Sequence, residues 1–262
     1  MRWLLLALTV SGCGFSIDTG GSLVGDDGPD TQEDAGPETT ARMCSTSDPS
    51  LRLCIDFDDT ANLETDQFGH AVRAENLMPM QRDTGEPAVT VDAESYLHVG
   101  ESTDLDIPDN LTVSMWISVE LGGLPVSNVN SRWLFDNNTQ YFGQLRVGGV
   151  IRCGIGGEDA DSAPILADGS WHHVACTFAR DEIRVYVDGH LHDCEGTADR
   201  AIPMGGTSGL AIGANVSGTD LEPEFADQFI GGIDNVQLFA RRLDPAEVCS
   251  AAGGTTCNAV CP

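Results

Sequence analysis

Gly169-Ser170-Trp171-His172-His173-Val174-Ala175-Cys176-Thr177-Phe178, followed shortly by Ile183-Arg184-Val185-Tyr186-Val187-Asp188-Gly189, decides the fold class. Both runs have strand length and are rich in β-branched and aromatic residues. The second alternates and then meets a turn at Asp188-Gly189. Working outward, Leu51 to Phe57 and Leu111 to Val119 alternate apolar and polar residues in the same way. Tyr141 to Val147, Gly209 to Ile212 and Gln228 to Phe239 are further strand-like runs. Asp109-Asn110, Gly122-Gly123, Asp168-Gly169 and Gly205-Gly206 supply turns between them. One short helix is expected, at Asp244-Pro245-Ala246-Glu247-Val248, with Asp as N-cap, Pro at the first position and Glu at the third. Many short strands, glycine turns and so little helix predict an all-β, two-sheet antiparallel sandwich.

Three segments in this order resemble the laminin G-like, concanavalin A-like jelly-roll superfamily. They are Leu111-Thr112-Val113-Ser114-Met115-Trp116-Ile117, the Trp171-His172-His173-Val174-Ala175 and Val185-Tyr186-Val187-Asp188-Gly189 pair, and Gly232-Ile233-Asp234-Asn235-Val236. The resemblance covers roughly residues 45 to 250 and implies a jelly roll. It says less about function, because lectins, glycanases and inert spacers share this fold.

The N-terminus speaks to location. An apolar run from Trp3 to Val10 leads into Val10-Ser11-Gly12-Cys13, which resembles a bacterial lipobox. Residues 1–12 are therefore expected to be a lipoprotein signal peptide and Cys13 the lipidated residue. Gly14 after the cysteine favours the outer membrane or cell surface of a bacterium. Residues 13–43 form an acidic, Gly/Asp/Pro/Thr-rich linker that cannot bury a core, so a flexible tether is expected there. The folded domain is assigned to 44–250 and a cysteine-containing tail to 251–262. No run of apolar residues is long enough to span a membrane.

The formal net charge of −28, from 41 acidic and 13 basic residues, argues against a nucleic-acid partner, which requires clustered cations. Of the nine cysteines, Cys13 is set aside for lipid. The other eight suit disulfides in an exported protein. Cys44 and Cys54 bracket a short loop entering the first strand. Cys153 and Cys176 both point to the apolar face of their strands, as a cross-strand bridge requires. Cys194, Cys249, Cys257 and Cys261 are left for two more bridges.

Asp234 shares the parity of Val236 and Leu238 and is expected on the inward side of the last strand, where an unpaired carboxylate is costly. The resemblance implies one structural calcium ion at this place, with Asp56, Asp58 or Asp59 as partner ligands. The alternative is that Asp234 accepts hydrogen bonds from backbone N–H groups or an arginine. His172, His173, His190 and His192 offer a weaker zinc set. Retaining glycanases of this fold need a close carboxylate pair on one strand face, and no E-x-D-x-E type run occurs. A non-catalytic domain is thus expected, binding a glycan or an envelope or extracellular protein. A structural spacer without a soluble ligand is the second reading, and a glycan hydrolase with displaced carboxylates the third. Trp116, Trp133 and Trp171 are expected in the core, and Tyr96 and Tyr141-Phe142 at a loop rim.

Overall fold

The computed structural model describes residues 44, 47–59, 61–126, 131–138, 140–165, 167–204, 206–220 and 222–262. The expected signal peptide, Cys13 and the linker to Met43 lie outside the described residues.

In chain order the strands are β1 (Leu51–Ile55), β2 (Val72–Glu75), β3 (Met78–Gln81), β4 (Pro87–Val91), β5 (Tyr96–Val99) and β6 (Leu111–Glu120). Next come β7 (Ser131–Asp136), β8 (Tyr141–Arg146), β9 (Val150–Ile155), β10 (Glu158–Asp161), β11 (Asp168–Phe178) and β12 (Glu182–Val187). The last are β13 (His190–Gly196), β14 (Leu210–Ile212), β15 (Asn215–Thr219), β16 (Glu222–Ala226) and β17 (Gly231–Phe239), before helix α1 (Pro245–Ala251). Among the described residues, sheet one runs β13-β12-β11-β6-β17-β4-β3, with β1 also paired to β17. Sheet two runs β10-β9-β8-β7-β14-β5-β2, and β15–β16 is a separate ribbon.

The alternation seen in the sequence is what fills the space between the sheets. Val113, Met115, Ile117 and Val119 of β6, Val174 and Phe178 of β11, and Ile183, Val185 and Val187 of β12 enter the core from sheet one. Tyr141 and Leu145 of β8 meet them from sheet two. The two sheets form an antiparallel jelly-roll sandwich. The β12–β13 hairpin closes through Asp188 and Gly189, both at positive φ (50° and 77°), as the right-handed twist of two paired strands demands.

Among the described residues the disulfides are Cys44–Cys54, Cys153–Cys176, Cys194–Cys261 and Cys249–Cys257. The first two are the pairs expected from the sequence. Cys153 and Cys176 sit on β9 and β11, so their bridge joins the two sheets through the core rather than neighbouring strands. The other two pin the tail, which also accepts the Leu191 N–H on Asn258 O. Helix α1 has the expected capping box between Asp244 and Glu247. Its Val248 joins Leu51, Cys54, Ala175, Tyr186, Leu191 and Phe239 in a second cluster, which covers one end of the outward face of sheet one.

Candidate functional site

The outward face of sheet two carries an aromatic hollow. Tyr141 and Leu145 enter the core, so Phe142 and Gln144 face away from it. Across the β7–β8 ladder Trp133 pairs with Gln144 and Asp136 with Phe142, with a register shift between Trp133 and Phe135. That irregularity sends both Leu134 and Phe135 inward and leaves Trp133 and Asp136 on the same outer side. The Trp133 and Phe142 rings lie 5.3 Å apart at 57°. Phe142 stands opposite Gly154 on β9, and a Cβ there would collide with its ring. Glycine at 154 thus lets the ring lie against the sheet.

Trp133, Phe142, Asp136, Asn138, Gln140 and Asn215 line a hollow of about 370 Å³, with Gly156 and Gly157 at its edge. The β15–β16 ribbon walls the neighbouring part of the sheet: Phe225 stacks on Tyr96 of β5 at 3.7 Å and meets the edge of His98. Asp136 is 2% exposed. It accepts hydrogen bonds from Val216 N (2.9 Å) and Asn215 Nδ2 (3.2 Å). Burial pushes its carboxyl up to about 7, while the backbone N–H groups of Val216 and Asn138 pull the other way.

Sheet one shows a different arrangement on its outward face. Asp234 is there, not on the inward side. Ile233 and Val236 both enter the core, Asn235 between them has φ 48°, and the β17–β6 register shifts between Asp234 and Gln237. This β-bulge reverses the parity, so Asp234 pairs with the outward Trp116. Its carboxylate accepts from Arg82 Nη1 (3.2 Å) and from Asn235 N and Nδ2 (2.7 and 2.9 Å). The Arg82 guanidinium, just beyond β3, lies 3.9 Å from the centre of the Trp116 ring and also pairs with Glu86 at 3.0 Å. Burial pushes Asp234 up to about 7 against the pull of Arg82. Beside Trp116, His173 is 2% exposed, and burial drives its pKa down to about 4. The oxygens of Asp234 therefore serve an arginine and a bulge, the alternative weighed from the sequence.

Asp56, Asp58 and Asp59 are brought together, but apart from Asp234. They line one hollow of about 270 Å³ in the loop after β1, with Asn62, Thr65 and Gln67. Asp56 accepts from Asp58 N and Gln67 Nε2 (both 3.2 Å), and Asp59 accepts from Ala61 N (3.1 Å). The Asp234 oxygens are taken up by Arg82 and Asn235, and Asp56, Asp58 and Asp59 share a hollow without their oxygens converging on one point.

A further hollow, about 690 Å³, is lined by Asp104, Asp106, Asp109 and Asp181 together with Arg52, Arg241 and Arg242. Four of these charges have side-chain partners within the fold. Asp109 pairs with Arg180 and Asp106 accepts from Gln140. Arg241 holds Asp48 and Glu247, and Arg242 holds Glu182. No aromatic side chain lines it among the described residues.

The histidines do not gather into a zinc site. His190 Nδ1 accepts Asn258 N, His192 Nδ1 accepts Ala163 N, and His172 Nδ1 meets Asp188 at 2.8 Å. Two of the aromatic expectations need correction. Trp116, Trp133 and Trp171 are half-buried on outward faces rather than in the core, because Trp116 and Trp171 are out of phase with the core residues of their strands and the β7 register shift turns Trp133 outward. Tyr141 is wholly buried and Tyr96 lies under Phe225, so of that set Phe142 alone lines an open hollow. Asp136, Asn138 and Asn215 were missed. Ser131–Asp136 does not alternate, and nothing local brings Asn215 to Asp136.

Two packed antiparallel sheets with a jelly-roll topology place the protein among the β-sandwiches. Residues 91–249 match the family described as the concanavalin A-like lectin/glucanases superfamily, of the laminin G type, and the chain belongs to it. It is 36% identical over 102 residues to the sushi, von Willebrand factor type A, EGF and pentraxin domain-containing protein 1 of Rattus norvegicus, a stretch covering 37% of this chain and 3% of that protein. The chain thus spans a small part of that curated relative. Among solved structures it is similar to domain 4 of AbnA, a GH43 extracellular arabinanase from Geobacillus stearothermophilus in complex with arabinotriose. There the TM-score is 0.58 at 19% identity, over 78% of this chain and 98% of that one. The binding domain of botulinum neurotoxin DC in complex with SialylT gives 0.58 at 17% identity, over 78% and 51%. At these identities the likeness is one of fold.

Proposed function

We propose that this domain is a non-catalytic binding module of the bacterial cell surface and that its ligand is a glycan held on the outward face of sheet two. The observation that carries the reading is the pair of half-buried rings, Trp133 and Phe142, beside Asp136, Asn138, Gln140 and Asn215 in one open hollow. Aromatic faces stack on the C–H faces of sugar rings, and a few fixed polar groups set orientation. Similar folds have been solved with arabinotriose, with SialylT and with synaptotagmin II, which supports both glycan and protein partners for such a sandwich. The test is a glycan array with the full chain, Cys13→Ser, and the same chain carrying Trp133→Ala. Binding that falls tenfold or more with Trp133→Ala supports the reading. An array silent for the parent chain would overturn it in favour of a protein partner or a spacer.

Two further parts of the proposal concern location and stability. Cys13 carries a lipid, a reading supported by the apolar run and small residues that precede it. Radiolabelled palmitate should enter the parent chain and not Cys13→Ser. A stabilising calcium ion belongs to the loop after β1, supported by the three carboxylates around one hollow, which it would draw together. A melting temperature unmoved by chelator removes it.

A further inference from the structure

The polar groups of the Trp133–Phe142 hollow point to the class of glycan it takes. Each of its three amides already donates to the protein: Asn215 Nδ2 to Asp136 (3.2 Å), Asn138 Nδ2 to Ser208 Oγ (2.9 Å), and Gln140 Nε2 to Asp106. The complementary atoms of these groups are oxygens, and Gln140 Oε1 is buried and receives no hydrogen bond from the protein. Asp136 adds a carboxylate at the floor of the hollow. The lining therefore offers amide oxygens and a carboxylate beside the second N–H of each amide, a mixed set of donors and acceptors that suits sugar hydroxyls.

Cations are missing from the same lining, which among the described residues includes no arginine, lysine or histidine. Two arginines come near. Arg152 pairs across the β8–β9 ladder with Gln144, but its guanidinium is held by Asp159 (2.9 Å) and by both oxygens of Asp161 (2.7 and 2.6 Å). Arg200 reaches the edge only to donate through Nη1 to Gly156 O. A carboxylate, sulfate or sialic acid entering this hollow would find no counter-ion. Above about pH 7 it would also meet the Asp136 charge, within a chain of net charge −28.

We propose that the Trp133–Phe142 hollow takes an uncharged saccharide, recognised through its ring faces and hydroxyls, and excludes anionic glycans. The inference rests on the glycan-binding reading above and narrows it to a ligand class.

The experiment titrates the full chain, Cys13→Ser, at pH 8 with two sets of probes. The neutral set is linear arabinan, xylan, β-glucan and galactan oligosaccharides. The anionic set is oligogalacturonate, a sulfated glycosaminoglycan fragment and a sialylated oligosaccharide. Each is measured at 0.05 and 0.5 M NaCl, with Trp133→Ala and Trp133→Phe alongside. Binding is expected within the neutral set only, changing less than about twofold with salt because no ion pair forms. It should fall at least tenfold with Trp133→Ala and recover most of that with Trp133→Phe, which keeps a ring at a position on the sheet surface. Trp133-dependent binding of an anionic probe, or affinity that collapses in salt, overturns the ligand class and leaves the glycan-binding reading standing. Silence from both sets overturns both. Neutral binding untouched by Trp133→Ala overturns the assignment to this hollow.

Discussion

Asp136 faces outward, yet the wall made by Asn215 and Val216 removes it from water and pushes its carboxyl up to about 7. The sign of the effect on stability follows. The fold favours the neutral form, so this contribution is complete below the ordinary carboxylate value and is lost as pH rises through about 7. Asp234, also raised to about 7, acts in the same direction. His173, lowered to about 4, acts oppositely, because the unfolded imidazole gains a proton between about pH 6.5 and 4 while the folded one does not. The Asp136 share is isolated by comparison with Asp136→Asn. The variant should gain stability over the parent as pH rises from 5 to 8, by on the order of 1–3 kcal/mol at the upper end. Two parallel curves of melting temperature against pH would refute this. Gly154 is the second informative residue. Valine there drives a side chain into the Phe142 ring, so a cost of about 1–3 kcal/mol is expected, together with weaker glycan binding. Unchanged unfolding and unchanged affinity would show that the ring does not depend on the glycine.

Two irregular strands decide what the elements present. In β7 the shift near Leu134 turns a run of three apolar residues into one outward tryptophan and two core side chains. In β17 the bulge at Asn235 moves Asp234 out of the core and under Arg82. The left-handed conformation of Asn235 (φ 48°) is tolerable for asparagine and glycine and poor for a β-branched residue. Asn235→Val should therefore cost about 1–3 kcal/mol in denaturant unfolding, through backbone strain and loss of the Nδ2 bond to Asp234. Asn235→Gly, which keeps the backbone and loses only that bond, should cost less. Equal costs would place the effect in the side chain alone.

At the level of the whole molecule, disulfides and covers determine which faces remain open. Cys153–Cys176 joins the sheets across a large core, so replacing both by alanine should lower stability by about 2–4 kcal/mol. The sandwich should persist in far-ultraviolet circular dichroism; its collapse would mean the core is not self-sufficient. Helix α1 and the pinned tail cover one end of the outer face of sheet one, and the β15–β16 ribbon covers Tyr96 and His98 on sheet two. The surface over β7, β8 and β9 is where aromatic rings and an open hollow coincide. The tail assigned to 251–262 is bonded into the same compact unit as the sandwich.

Local pattern determined a good deal of this protein. Period-two alternation in Leu111 to Val119 and Glu182 to Val187 marked strands and their buried sides. Asp188-Gly189 marked a hairpin, and the Asp244-Pro245-Glu247 spacing marked the capped helix. The apolar surroundings of Cys153 and Cys176 marked them as a bridged pair, though that the bridge spans the two sheets was not legible there. Each of these properties depends on neighbours in sequence. The outward sides of Trp116 and Trp171 follow from the alternation of their own strands. Only the tertiary structure decided the sides of Trp133 and Asp234, because alternation assigns faces correctly only where strands are regular, and bulges reset it at Leu134 and Asn235. It alone decided which outward face stays open, since that depends on where distant segments pack. The meeting of Asp136 on β7 with Asn215 on β15, far apart along the chain, is set by sheet order and by no motif.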